Sequence, residues 1–284
     1  MVKKYFLFAF LVCGVILYGC GGGGSGSVSG NTGSFSFVIT DAKPALPAGI
    51  NQVLVTINEV MVHQSGGEWI SLPLAQTPFT IDLLQFTDGR TTQLVSQTAL
   101  TSGKYTQVRL GVQSAMIVTD TGQQIPAEIA SGDLKTDKNI DFDVKGGGAV
   151  ALTVDFDLSQ SLVVTGSGKY KLKPVLHIVS TEEASTITGS IAAATYGAET
   201  QATIIVTQDS DNSGGHSQGD QEYTRLVVTK VPSGPTTLSI YWLVPNQAYI
   251  VEVEVGGNIV YYQYVAKTSL PAAAVYSLNI DSPI

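Results

Sequence analysis

Thiols are nearly absent from this chain. Cys13 and Cys20 are its two cysteines, and both fall within the first twenty residues. Beyond residue 20 there is no thiol for a disulfide, a cysteine nucleophile or a cysteine-built metal site. Histidine is almost as scarce: His63, His177 and His216 are the three. Basic side chains are few, 15 Lys and Arg against 23 Asp and Glu, for a formal charge of −8. A chain of that sign lacks the basic footprint that nucleic acid requires. It also lacks the cationic patch that draws proteins onto anionic lipid headgroups. No apolar run after residue 20 reaches eighteen residues, so no later segment reads as a transmembrane helix.

What the chain does have begins at its start. Lys3 and Lys4 precede an apolar run over residues 5–18. That run is too short to cross a hydrocarbon core of about 30 Å as a helix. A basic start, a short apolar centre and a small residue at the cut are the layout of a secretory leader. Leu17-Tyr18-Gly19-Cys20 resembles a bacterial lipobox, which predicts a signal peptide over residues 1–19 and lipidation on Cys20. Two or more acyl chains such as palmitate anchor stably where one is marginal. Gly21, where an aspartate favours inner-membrane retention, points to the outer membrane; whether the chain faces the periplasm or the cell surface stays open. Once Lys3 and Lys4 leave with the leader, 13 basic side chains face 23 acidic ones. Residues 21–33 are mostly Gly and Ser, so residues 20–33 read as a lipidated cysteine and flexible tether. Thirteen such residues reach about 20 Å.

From residue 34 the periodicity is that of strands. Phe35, Phe37 and Ile39 alternate with small polar residues, and Val53, Val55, Ile57 and Val60 continue the pattern with an irregularity near Asn58. Gly66-Gly67 marks a turn before Trp69. Tyr105, Val108, Leu110 and Val112 form a strand after Ser102-Gly103. A short helix is expected over residues 92–99. Residues 140–144 and 150–158 read as a hairpin, with Val144 opposite Val150, Phe142 opposite Leu152 and Ile140 opposite Val154, because that register aligns both apolar faces. Asp141, Asp143, Asp155 and Asp157 fall on the other face. They read either as a cation site or, preferably, as a solvated face crossed by Lys169, Lys171 and Lys173.

Thr40-Asp41-Ala42, Asp82-Leu83-Leu84, residues 103–110 (GKYTQVRL), Asp155-Phe156-Asp157 and residues 170–175 (YKLKPV) occur in that order. Together they resemble the bacterial lipoprotein family catalogued as domain of unknown function 4382. The resemblance covers roughly residues 33–180 and places such a β domain over residues 34–180. Lys43 departs from it, separating Ala42 from Pro44. The resemblance implies a β-sandwich in the cell envelope, and brings no activity and no catalytic residues.

After a polar junction at residues 181–185, seven short apolar stretches separated by Gly, Pro and Asn fill residues 186–284. They predict a second antiparallel Greek-key sandwich. Its opening, residues 186–191 (TITGSI), is similar to carboxypeptidase-regulatory-like, or transthyretin-like, modules. The fold class expected for the whole is therefore all-β, two antiparallel sandwich domains of immunoglobulin-like or transthyretin-like build.

The loop at residues 208–221 contains two motifs. Gly215-His216-Ser217-Gln218-Gly219 matches G-x-S-x-G, but a hydrolase needs that serine on a strand-to-helix turn and its histidine later in the chain. No histidine follows His216. Asp209, Asp211 and Asp220 stand at the first, third and twelfth positions of a stretch with glycine sixth, the pattern of a calcium loop. Ser213 is a poor fifth ligand. His63 and His177 lie on strands far apart in sequence, where packing is the ordinary role. Tyr261, Tyr262 and Tyr264 cannot all face one way, and an exposed tyrosine or Trp242 would suit a glycan or protein partner. The sequence therefore favours a non-catalytic envelope lipoprotein with a binding, adhesion or assembly role, held at the membrane by its lipid and meeting a protein or glycan partner. No cofactor is expected. The alternatives are a calcium-dependent binding module and, less favoured, a hydrolase.

Overall fold

Alternation of buried and half-buried residues starts at the first strand and builds both sheets of the first domain. The computed structural model describes residues 30–129, 133–135 and 140–280; Cys20 and the leader lie outside them. The first domain runs through β1 (Thr32–Thr40), β2 (Ile50–Gln64), β3 (Trp69–Ser71), β4 (Phe79–Asp82), β5 (Thr92–Thr101), β6 (Gly103–Thr119) and β7 (Gln124–Ile129). It continues through β8 (Asp133–Lys135), β9 (Phe142–Val144), β10 (Ala149–Phe156), the single-turn helix α1 (Leu158–Ser161), β11 (Leu162–Val164), β12 (Tyr170–Leu172) and β13 (Leu176–Ser180). One sheet has the order β13-β10-β1-β5; the other is built around the long β6–β2 pair, with the path β11-β12-β7-β6-β2-β3. Phe35, Phe37, Ile39, Val53, Val55, Leu94, Tyr105 and Leu110 are fully enclosed between them.

The second domain comprises β14 (Ser185–Ile191), β15 (Gln201–Asp209), β16 (Gln221–Thr229), β17 (Thr236–Leu243), β18 (Ala248–Val255), β19 (Asn258–Val265) and β20 (Val275–Ile280). Sheets β17-β14-β20 and β16-β15-β18-β19 close over a separate core that includes Ile187, Val206, Tyr249 and Val253. The chain is all-β, as the periodicity requires. Most pairings are antiparallel, with β1–β10, β7–β12 and β14–β20 parallel. The irregularity near Asn58 is present as register shifts on both sides of Ile57.

Three expectations fail. Residues 92–99 are not helical: they belong to β5, the edge partner of β1, where Leu94 and Val95 are both fully buried. The hairpin does not form either. Val144 and Phe142 pair with Gly103 and Tyr105 of β6, whereas β10 lies parallel to β1, with Phe37 opposite Leu152 and Ile39 opposite Val154. The glycine-rich loop 145–148 carries the chain from one sheet to the other. It does so by bonding to the start of β1: Gly147 N donates to Thr32 O at 2.9 Å and Ser34 N to Gly148 O at 2.8 Å. The approach is so close that a Cβ on Gly33 would lie 2.5 Å from Lys145 O. Both arrangements satisfy the same apolar face, so polarity alone does not separate them.

The third failure concerns the aspartates. Asp141 stays at the surface, 2.7 Å from Lys104. Asp155 and Asp157 are 3 % and 1 % exposed. Lys171 meets Glu128 instead, at 3.6 Å, and the cross-strand neighbour of Asp155 is His177. The end of β10 that carries Asp155 is covered by the second domain, which a strand-by-strand reading does not foresee.

Candidate functional site

Two clusters of carboxylates stand out, one exposed and one buried. The exposed one is the predicted loop between β15 and β16. Asp209 ends β15 at 1 % exposure and accepts from Ser213 N at 3.2 Å and Gly214 N at 2.8 Å. Asp211 accepts from Ser213 N at 2.9 Å, and Asp220 accepts from Ser210 N and Ser217 N, each at 2.8 Å. Asn212 and Gly214 take left-handed conformations, φ 57° and 77°, that turn the chain tightly enough for these contacts. As a result one ligating oxygen from each of Asp209, Asp211 and Asp220 lies within 4.8 Å of the others. The side chain and N–H of Ser213 hold Asp211 down at about 2, and the N–H groups of Ser210 and Ser217 lower Asp220. Such a group of oxygens suits a hard cation.

The fifth-position Ser213 hydroxyl also engages the loop backbone, donating to Gly215 O at 2.8 Å. The loop is pinned onto the outer face of its sheet. Tyr262 donates its hydroxyl to Gly214 O, a Cβ on Gly214 would lie 3.6 Å from the Tyr264 ring, and His216 Nε2 sits 3.2 Å from Glu252 Oε1. Tyr261 turns the other way, against the core. The same geometry disposes of the G-x-S-x-G motif. Ser217 lies in a loop between strands, its hydroxyl is 3.2 Å from Asp220 Oδ2, and His216 is engaged by Glu252. His63 reaches Thr106 Oγ1 at 3.4 Å and packs on Trp69.

The residues of the buried cluster stand out in the sequence as motifs, but nothing there shows that they meet. Asp41, Asp155 and Asp157 come together where the two domains join. Asp41 Oδ1 accepts from Leu158 N and Asp155 Oδ1 from Ala42 N, both at 3.1 Å. Asp157 caps α1 through Gln160 N at 3.1 Å and also accepts from Gln160 Nε2 at 2.8 Å. Gln160 Nε2 in turn reaches Glu222 O and Tyr223 O of β16, and Ser159 Oγ donates to Arg225 O at 2.7 Å. His177 stacks on Tyr223 with ring centroids 4.1 Å apart, and the Tyr223 hydroxyl donates to Trp242 O at 2.9 Å.

Burial dominates the electrostatics here. It pushes Asp155 up to about 7, with the charge of Asp157 adding to the shift and Ala42 N–H opposing it. Burial, then the charge of Asp155, holds Asp41 well above the usual carboxylate range. Asp157 is raised by burial and partly restored by Gln160. The free space beside Asp41 and Asp155 is about 20 Å³. No substrate fits there; the arrangement is that of a structural junction.

No curated protein matches the chain. Among solved structures, it is similar to the TIE protein of Bacillus anthracis (8 % identity, 89 % of this chain and 35 % of that one, TM-score 0.19). It is also similar to a leucine-rich repeat protein from Bacteroides thetaiotaomicron (10 % identity, 89 % and 26 %, TM-score 0.21). A third is the fimbrial anchor protein Mfa2 from Porphyromonas gingivalis (7 % identity, 81 % and 82 %, TM-score 0.20). The chain spans about a third and about a quarter of the first two. Family membership rests on sequence instead. Residues 32–174, from the first residue of β1 to just beyond β12, match the family described as Domain of unknown function (DUF4382). That span contains Asp41, Asp155 and Asp157 and takes in half of the chain, so the protein belongs to the DUF4382 family.

Proposed function

We propose that this protein is a non-catalytic envelope lipoprotein whose two joined β-sandwich domains are presented on a flexible tether for binding, adhesion or assembly. The observation that carries the reading is the run Leu17-Tyr18-Gly19-Cys20, set between a short apolar segment and a Gly/Ser tract that leads directly into β1. Among the described residues no helix is long and apolar enough to cross a membrane. The lipid is the attachment this reading requires. Metabolic labelling with palmitate tests it. The full chain takes up label, and Cys20→Ser loses it and accumulates the heavier uncut precursor. Undiminished labelling of the variant overturns the anchor. Protease treatment of intact cells carrying a C-terminally tagged chain then assigns the side of the membrane. Loss of the tag means surface display and a host, glycan or matrix partner; protection means a periplasmic partner.

A second reading is favoured by the convergence of the Asp209, Asp211 and Asp220 oxygens: a calcium-dependent binding module. Extracellular calcium modules bind at about 10⁻⁴–10⁻³ M. Free calcium at tenfold the dissociation constant then stabilises the fold by about 1.4 kcal/mol. Melting with and without millimolar calcium reads this directly. The rise disappears in Asp211→Asn, and an unchanged midpoint in the parent chain sinks the calcium reading.

A further inference from the structure

Where β1 ends and the second domain meets it, a narrow space of about 20 Å³ has among its lining residues Asp41, Gly89 and Asp155 of the first domain and Thr224, Leu226 and Trp242 of the second. Three of these residues bring buried polar atoms without a hydrogen-bond partner: Asp41 Oδ2, Thr224 Oγ1 and Trp242 Nε1. Asp41 and Thr224 are each 2 % exposed. The Asp41 carboxylate has spent its other oxygen on Leu158 N–H. Thr224 is near enough to Asp157 to help lower it, yet the two do not reach hydrogen-bond geometry. An orphaned buried polar atom costs about 1–3 kcal/mol, and native proteins rarely tolerate several in one place. Three on residues that line one small space point to one shared partner.

Chemistry and volume select that partner. A water needs about 10–15 Å³ of such space and two to four polar neighbours. The space holds one water, and an organic ligand is far too large. An indole N–H only donates, so it needs an acceptor; a hydroxyl both donates and accepts. A metal ion offers no acceptor to Trp242. Moreover, among the described residues the carboxylates that bring three ligating oxygens within 4.8 Å are Asp209, Asp211 and Asp220, not Asp41, Asp155 and Asp157.

We propose that this space is a specific site for one buried water molecule, which accepts from the Trp242 indole N–H and joins the Asp41 carboxyl to the Thr224 hydroxyl, clasping the DUF4382 domain to its C-terminal partner. The contacts around it are direct backbone links: Val227 N donates to Lys43 O at 3.3 Å, and Pro44 bridges to Leu226. The water completes the junction where two polar surfaces meet without touching. A protonated Asp41 donates to the water and an ionised one accepts from it, so the site is served in either state.

Water-oxygen magnetic relaxation dispersion on the full chain, lacking its leader and lipid, counts buried waters of long residence. Thr224→Val is close in shape, puts a methyl where the hydroxyl stands and removes one partner. It is expected to lower the count by one and to speed amide exchange in β16 and residues 41–45, with exchange in β2 and β18 unchanged. Thr224→Ser, which keeps the hydroxyl, retains the count. A count unchanged by Thr224→Val overturns the proposal. So does a high-resolution crystal structure with the site dry, or filled by an ion at metal–oxygen distances of about 2.3–2.5 Å. If Thr224→Val fails to fold, that crystal structure of the parent chain decides alone.

Discussion

Asp155→Asn is expected to stabilise the protein at pH 8 and to flatten its pH profile. Asp155 titrates at about 7 in the folded chain and near 3.8 when unfolded. Between these values the folded state keeps a proton that the unfolded state has released. Its contribution to stability is therefore complete below about pH 4 and is lost as pH rises through about 7. A tenfold change in proton affinity between the two states corresponds to about 1.4 kcal/mol, so the loss from pH 5 to pH 8 is about 2–3 kcal/mol for this side chain. Asp41, raised by burial and by Asp155, acts in the same direction. The lowered carboxylates, Asp211 and Asp220, titrate below this window and do not offset it. An asparagine keeps an acceptor for Ala42 N–H, is neutral at every pH, and removes the charge that adds to the burial shift of Asp41. Thermal melts of both chains from pH 5 to 8 check this. The parent is expected to lose several degrees across the range, and the variant to lose fewer and exceed the parent at pH 8, since buried Asp41 and Asp157 stay raised in both. A variant less stable than the parent at pH 8 shows instead that the Asp155 charge is compensated at the junction.

That prediction turns on a feature the sequence discloses only in part. Strand existence is legible because alternation with period two survives wherever one face is buried. All seven strands of the second domain fall where apolar stretches lie between Gly, Pro and Asn. Pairing is less legible. Val144, Phe142 and Ile140 fit β10 as partners by polarity, yet the glycine loop sends Val144 and Phe142 to the opposite sheet, where Phe142 stacks on Tyr105. Residues 92–99 lack a strict alternation because β5 takes register shifts against β1 that put Leu94 and Val95 side by side in the core. Asp155 and Asp157 alternate with Val154 and Phe156, which is the mark of a half-exposed strand. Their burial comes from Tyr223 and its neighbours, more than sixty positions away and in another domain. The Asp209 loop is legible because its turn residues and its acids are contiguous, so local spacing suffices to bring them together.

Phe35→Ala is expected to be the most damaging single change outside the junction. Phe35 is fully buried in β1 and lies between Phe37, at 6.1 Å between centroids, and Phe142, stacked at 5.6 Å. Phe142 continues onto Tyr105 at 5.1 Å and 8°. This row of rings ties β1 of one sheet to β9 and β6 of the other, so truncation opens a void between the sheets that neither backbone can close. Phenylalanine to alanine in such a core costs about 3–5 kcal/mol, and the lost ring pairing contributes about 0.5–1.5 kcal/mol of coupling within it. For a domain of about 150 residues, 4 kcal/mol lowers the midpoint by about 8–16 °C. Phe35→Leu, which keeps most of the volume, is expected to cost less than half as much. The second domain buries its own core around Tyr249 and Val253, so the loss should concentrate in the first. Amide exchange resolves this: protection of β1 and β6 falls by the full destabilisation, while β15 and β18 retain most of theirs. Equal loss in all four strands shows that the junction makes the two sandwiches one cooperative unit. A cost near 1 kcal/mol shows that the aromatic row does not hold the two sheets together.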